Sequence, residues 1–259
     1  MLIFFYSIDF DSSDPNYIDC GNPTELQITG ALTISAWVKI NSTSPTQVCI
    51  VSKDNVTDRS YDLWGRIATD GFPRFVIYNS NTGYPVSGTT DLRDNQWHHI
   101  VAVFTPNTSM KIYVDNVLKG TNPTSIPSID NDPANFEIGR FGFGNYPMDG
   151  SISEVAVFDY ALTDGTGGTT NQIEYLYNLN NPMAITGGEP VAYWPLGDNS
   201  NPNAPGSFPN ISVGADSVFD FTSGEYVQLD DNDLLSFGDG ATDDPMSISV
   251  WCKTTDGTS

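Results

Sequence analysis

The chain has 259 residues, of which 39% are hydrophobic and 12% aromatic. That is enough apolar material for a packed core and excludes a disordered chain. Thirty-two acids against ten bases leave a formal charge of −22, and such a field repels nucleic-acid phosphates and anionic lipid surfaces. No apolar run reaches the roughly 18 residues of a membrane span, and the opening "MLIFFY" lacks the basic region and cleavage site of a secretory signal.

From the start of the chain the apolar residues alternate with polar ones, in short runs separated by Gly, Pro, Asn and Asp. Strands are expected at 7–10, 17–20, 32–40, 48–53, 62–68, 74–79, 96–105, 110–114, 117–120, 135–140 and 150–160. Between two of them, in "MKIYVDNVLKG", Asp115 and Asn116 both tolerate positive φ, which predicts a two-residue type I′ hairpin. One helix is expected in "TTNQIEYLYNL", capped by Thr170 or Asn171, with Glu174 near its third position and Ile173, Leu176 and Tyr177 on one face. "NNPMAITGGEP" then carries no periodicity and marks a boundary. The fold class is all-β: a two-sheet antiparallel sandwich.

Two stretches return late in the chain. "TISAWVK" at 33–39 recurs as "SISVWCK" at 247–253, and "SIDFDSSDPNYIDC" at 7–20 is echoed by "VFDFTSGEYVQL" at 218–229. Matched strands in the same order and at similar spacing indicate tandem repetition. The expected organisation is a sandwich over 1–180, a linker over 181–190, and over 191–259 the opening strands of a second, truncated copy.

"FDSSDPNYIDC…LTISAWVKI", "NQWHHIVAVF", "KIYVDNVLKG", "FEIGRFG…NYPMDGSISEVAVFDYALT" and "NQIEYLYN" together resemble the laminin G-like branch of the concanavalin A-like jelly rolls. "PVAYWPLGDNS" is similar to the lead-in strand of such domains in tandem proteins, including those of marine viruses and bacteria. The resemblance implies a jelly roll of some 12–14 strands, placed outside a cell or on a virion, often binding carbohydrate and often one Ca²⁺. For that ion it points to Asp149 and to the turn after Phe10, with Asp11 and Asp14.

The residues themselves narrow the chemistry. His98 and His99, the only histidines, are adjacent on a strand and point to opposite faces, so they cannot share a metal ion. Glycoside hydrolysis needs two carboxylates flanking a sugar bond; the resemblance implies Glu-x-Asp-x-x-Glu on one strand for members that hydrolyse β-glucans, and none of the six glutamates here has that spacing. Cys20 and Cys49 are either a pair across neighbouring strands or two small core thiols. Sugars stack on aromatic rings while amides and charges take their hydroxyls, which nominates Tyr61, Trp64, Arg66, Tyr78, Tyr84 and Tyr146. The expected function is a non-catalytic carbohydrate-binding module of a longer secreted, cell-surface or virion protein, its partner a glycan or another surface protein. The alternatives are an assembly module of a viral fibre or surface array, and an ancillary domain of a secreted glycoside hydrolase.

Overall fold

The computed structural model describes residues 7–13, 16–67, 71–142, 146–179, 181–196 and 212–213. The chain divides into Met1–Val218 and Phe219–Ser259, and every described residue belongs to the first unit. The strand-like returns at 218–229 and 247–253, with Cys252, lie outside the described residues.

In chain order the strands are β1 (Ile8–Phe10), β2 (Ile18–Asp19), β3 (Leu32–Ile40), β4 (Val48–Asp54) and β5 (Arg59–Arg66). Then come β6 (Arg74–Asn79), β7 (Thr82–Ser87), β8 (Trp97–Thr105), β9 (Ser109–Val114) and β10 (Val117–Asn122). The last are β11 (Glu137–Ile138), β12 (Gly150–Phe158), β13 (Ala192–Trp194) and β14 (Ser212–Val213). They form two antiparallel sheets. The first runs β1-β12-β3-β8-β9-β10, with β13 also on β12; the second runs β14-β2-β11-β4-β5-β6-β7. The core lies between them.

Alternation along each strand decides what enters that core. On β3, Leu32, Ile34, Ala36, Val38 and Ile40 point inward with their neighbours Ile100, Ala102 and Phe104 of β8. From the second sheet Ile50, Tyr61, Leu63, Phe75 and Ile77 face them. Each Val, Leu, Ile or Phe side chain among them, fully removed from water, contributes about 1.5–3 kcal/mol.

The outer face of the first sheet is also apolar, and a helix covers it. α1 (Gln172–Leu179) is capped as expected: Asn171 Oδ1 accepts the Glu174 N–H at 3.0 Å, and Asn171 Nδ2 donates back to the Glu174 carboxylate at 3.2 Å. Ile173 and Leu176 press on Val101, Val103, Tyr113 and Phe158. Tyr177 stacks on Trp37 at 5.7 Å. The hairpin between β9 and β10 also follows expectation, with φ of 51° at Asp115 and 61° at Asn116.

Three expectations need correction. β7 has no counterpart among the expected strands, because Gly83 and Pro85 interrupt its pattern; it is an edge strand, where a residue without an N–H costs least. β5 begins at Arg59 and not at Asp62. Ala192–Trp194, expected to open the second copy, pairs with β12 of the first sandwich, and Trp194 is buried in its core. The choice of partner strand is a tertiary contact with no local signature in the sequence.

β12 carries one irregularity. Its register on β3 skips between Ser153 and Ala156, and Glu154 sits there at φ 54°. Its carboxylate accepts a hydrogen bond from the Tyr193 hydroxyl of β13. Burial raises the Glu154 pKa to about 7, against the lowering effect of that bond. The folded state thus holds this proton more tightly than the unfolded chain. Its contribution is complete below pH 4.5 and is lost as pH rises through about 7, to the order of 3 kcal/mol at most. Glu154→Gln should therefore flatten the fall in melting temperature between pH 5 and 8, measured by circular dichroism.

Candidate functional site

The outer face of the second sheet has no covering helix among the described residues. On β5 the alternation sends Tyr61 and Leu63 inward and Trp64 outward; on β6 it sends Phe75 and Ile77 inward, Val76 and Tyr78 outward. Trp64, Val76, Tyr78, Cys49 and Phe141 form one apolar cluster on this face. Tyr146, 40% exposed, leans over it, with its ring centroid 5.6 Å from Trp64 and 6.2 Å from Phe141. Its backbone carbonyl, which accepts the Cys49 N–H at 3.2 Å, ties this loop residue to β4.

Together these side chains bound a groove of about 530 Å³, whose remaining lining includes Gln47, Val56, Arg59, Arg74 and Pro85. Arg59 lies 4.7 Å over the Tyr78 ring, a cation–π contact, and its Nε is 3.2 Å from Asp54. Arg74 Nε donates to the Ser87 hydroxyl at 3.0 Å. The site therefore offers flat apolar surface beside fixed guanidinium donors.

Three of the six nominated ligand residues meet here: Trp64, Tyr78 and Tyr146. The others do not. Tyr61 is fully buried between the sheets, its hydroxyl donating to the Leu26 carbonyl at 2.9 Å. Tyr84, opposite Ile77, packs inward against the core. Arg66 is committed to Asp91 at 2.5 Å and to the Gly71 carbonyl at 2.9 Å. The period of two alone separates Tyr61 from Trp64, since residues three apart face opposite ways. Phe141, Val56 and Arg59 escape a reading by strand pattern because they reach the groove from a loop, a turn and a strand end.

Asp54 and Asp62 lie beneath the groove, both buried. Asp62 accepts from the Ser52 hydroxyl at 2.8 Å and shares a hydrogen bond with Asp54. Burial, and next the charge of Asp54, push its pKa well up. Two touching carboxyls under the floor do not flank a sugar bond from opposite sides, as glycoside hydrolysis requires.

The expected Ca²⁺ ligands are tied up locally. The Asp149 carboxylate accepts from Asn41 Nδ2 at 3.0 Å, and its backbone carbonyl accepts from Asn41 N–H at 3.0 Å and the Ser44 hydroxyl at 2.8 Å. Asp11 Oδ1 accepts from the N–H and hydroxyl of Ser13. Phe10 opposite Gly150 brings Asp11 and Asp149 to the same end of the sheet, while Asp14 lies outside the described residues. Among those residues no group of three or more acids, histidines or cysteines could hold a metal ion. His98 bonds to Asp115 at 2.7 Å, and His99, whose pKa burial lowers to about 3, to Ser35 at 2.8 Å. Cys20 and Cys49 are free thiols on opposite faces of the second sheet.

The sequence model of the concanavalin A-like lectin/glucanases superfamily in its Laminin_G_3 form matches residues 12–166, more than half of the chain. The chain belongs to this superfamily. Among solved structures, one provisionally named as a carbohydrate-binding protein from Bacteroides ovatus ATCC 8483 superposes with TM-score 0.55 at 19% identity, covering 75% of this chain and 52% of its own. The binding domain of Paraclostridial Mosquitocidal Protein 1 gives 0.52 at 13%, covering 67% and 43%. The binding domain of Botulinum Neurotoxin DC, in complex with SialylT, gives 0.50 at 16%, covering 68% and 42%. At these identities the likeness is one of fold, and the chain spans about half the length of these structures or less. No curated protein matches the sequence. Among the described residues no helix of this concanavalin A-like chain is long and apolar enough to cross a membrane.

The separation of core from groove is testable. Tyr61→Phe should cost about 1–2 kcal/mol in urea unfolding, through the unmet Leu26 carbonyl. Trp64 emission in the folded state should stay unchanged, because that ring lies on the other face of the same strand.

Proposed function

We propose that this chain carries a non-catalytic carbohydrate-binding module, with the outer face of the second sheet as the sugar site. The observation that carries the reading is a groove of about 530 Å³ on that face, in which the exposed Tyr146 ring stands over a buried aromatic floor of Trp64, Tyr78 and Phe141. A concave apolar floor with one exposed ring and polar groups on its rim is the usual form of a small-ligand site. A pyranose ring lays its C–H face on the exposed Tyr146 ring. Gln47, Arg59 and Arg74 supply hydrogen-bond donors for hydroxyls along the same groove. Two of the structures of similar fold, a carbohydrate-binding protein and a toxin domain in complex with SialylT, support the same class of ligand. In this proposal the module stands outside a cell or on a particle surface within a longer repeating chain, and it needs no Ca²⁺ in the groove.

Titration with a panel of neutral and acidic oligosaccharides, followed by Trp fluorescence and calorimetry with and without Ca²⁺, tests this. Saturable binding is expected. Tyr146→Ala should weaken it roughly three- to tenfold, the worth of one aromatic stack, with the melting temperature held. Binding that ignores both Tyr146→Ala and Trp64→Ala overturns the placement of the site. A panel with no binder overturns the function in favour of an assembly module.

A further inference from the structure

β1 and β13 lie end to end along one edge of β12. β1 pairs with Gly150, Ser151 and Ile152, and β13 with Val155, Ala156 and Val157. The edge is shaped for the second of these strands. At the irregularity of β12 the Glu154 N–H leaves the β3 ladder and donates to the Pro195 carbonyl at 3.1 Å. Ser153 Oγ donates to the same carbonyl at 3.3 Å, and Val191 N–H donates to the Val157 carbonyl at 2.8 Å. The Tyr193 hydroxyl meets the Glu154 carboxylate. Trp194, 1% exposed, stacks on Phe136 of the opposite sheet at 5.1 Å and 8°, and Leu196 joins it in the core. The tether before this segment is quite different. Residues 186–189 are exposed, and Gly187 and Gly188 take φ of 119° and 145°, which only glycine adopts readily.

The sequence beyond the strand gives this arrangement its meaning. The pattern of β1 to β3 returns from 218 onward. A second sandwich on the same plan offers the same edge, and the strand lying just ahead of it already serves the first sandwich. We propose that residues 189–196 form a donor strand that completes the sandwich preceding it, and that the β12 edge accepts this strand equally from a second copy of the chain. Copies are then joined by exchange of one short strand, with Trp194 as its anchor and the Gly187–Gly188 pair as its hinge.

The test uses the full chain with a protease site inserted between Gly187 and Gly188. After cleavage the two pieces should still elute together. A fluorescent peptide of residues 189–199 should then displace the C-terminal piece saturably, while the same peptide with Trp194→Ala should bind at least tenfold more weakly. Uncleaved chain held concentrated near its melting temperature should yield a dimer that survives dilution and that Trp194→Ala abolishes. In the uncut chain Trp194→Ala should also lower the melting temperature by about ten degrees. Pieces that separate while the sandwich stays folded, a peptide that binds no better than its Ala form, or a chain that stays monomeric under these conditions would overturn the proposal.

Discussion

Alternation along a strand obliges each residue of β5 and β6 to face either the interior or the outer surface, and both strands carry large apolar residues on each side, with Trp64, Val76 and Tyr78 on the outer one. The inner set closes the sandwich with Tyr61, Leu63, Phe75 and Ile77. The outer set then has to be dealt with separately. On the first sheet the same problem arises with Val101, Val103 and Phe158, and α1 solves it. On the second sheet Trp64, Val76, Tyr78 and Phe141 bury one another, and Tyr146 leans over them from a loop. One outer face is thus closed by a helix and the other by its own side chains and a loop, which leaves a groove beside the loop residue.

The first sheet depends on β12, which contacts three other strands. Gly150 begins it at φ 139°, and a Cβ there would stand 2.0 Å from the Lys39 carbonyl oxygen, so only glycine allows β3 to approach. Asp149, one residue earlier, fastens the end of β3 through Asn41 and Ser44. That role accounts for an Asp-Gly pair which by sequence resembles a metal-binding turn. Four residues further on, the skip at Glu154 releases a backbone amide for the strand arriving from residue 191. β12 is therefore specialised at its start for close packing and at its middle for reception.

Most of the strands are legible because burial on one face writes a period of two into the sequence. The hairpin at Asp115-Asn116 and the Asn171 cap are legible for a related reason: their chemistry is local, settled within four residues. β7 is hidden by Gly83 and Pro85, tolerated there because one of its sides pairs with nothing. Two of the nominated ligand residues, Tyr61 and Tyr84, face the core because aromatic character alone carries no parity. Tyr61 and Trp64 look equivalent in "YDLWGR" until the pleat is counted. The meeting of the remaining groove residues is not legible at all, since Phe141 and Tyr146 arrive from a loop between β11 and β12, some eighty residues from Trp64. The membership of β13 is equally hidden, because the strand it pairs with is set by a tertiary contact.

The charge of −22 admits a local explanation as well. Asp11, Asp19, Asp54, Asp91, Asp94 and Asp164 each accept the backbone N–H two residues further along, at 2.6–3.2 Å. Asp130 takes the N–H groups of Ser80 and Asn81, and Asp132 that of Arg59. A sandwich of many short strands needs many turns, and Asp is among the residues that hold a turn by its own backbone. The acidity therefore reports the number of turns before it reports anything about the surrounding medium. Against this background the groove differs in kind: among the described residues its lining contains Arg59 and Arg74 and no carboxylate. Carboxylates would present a sugar with acceptors only, whereas guanidinium groups present donors to the lone pairs of its hydroxyls. Among the described residues many acids thus hold turns, while two of the ten bases stand at the groove beside Tyr146.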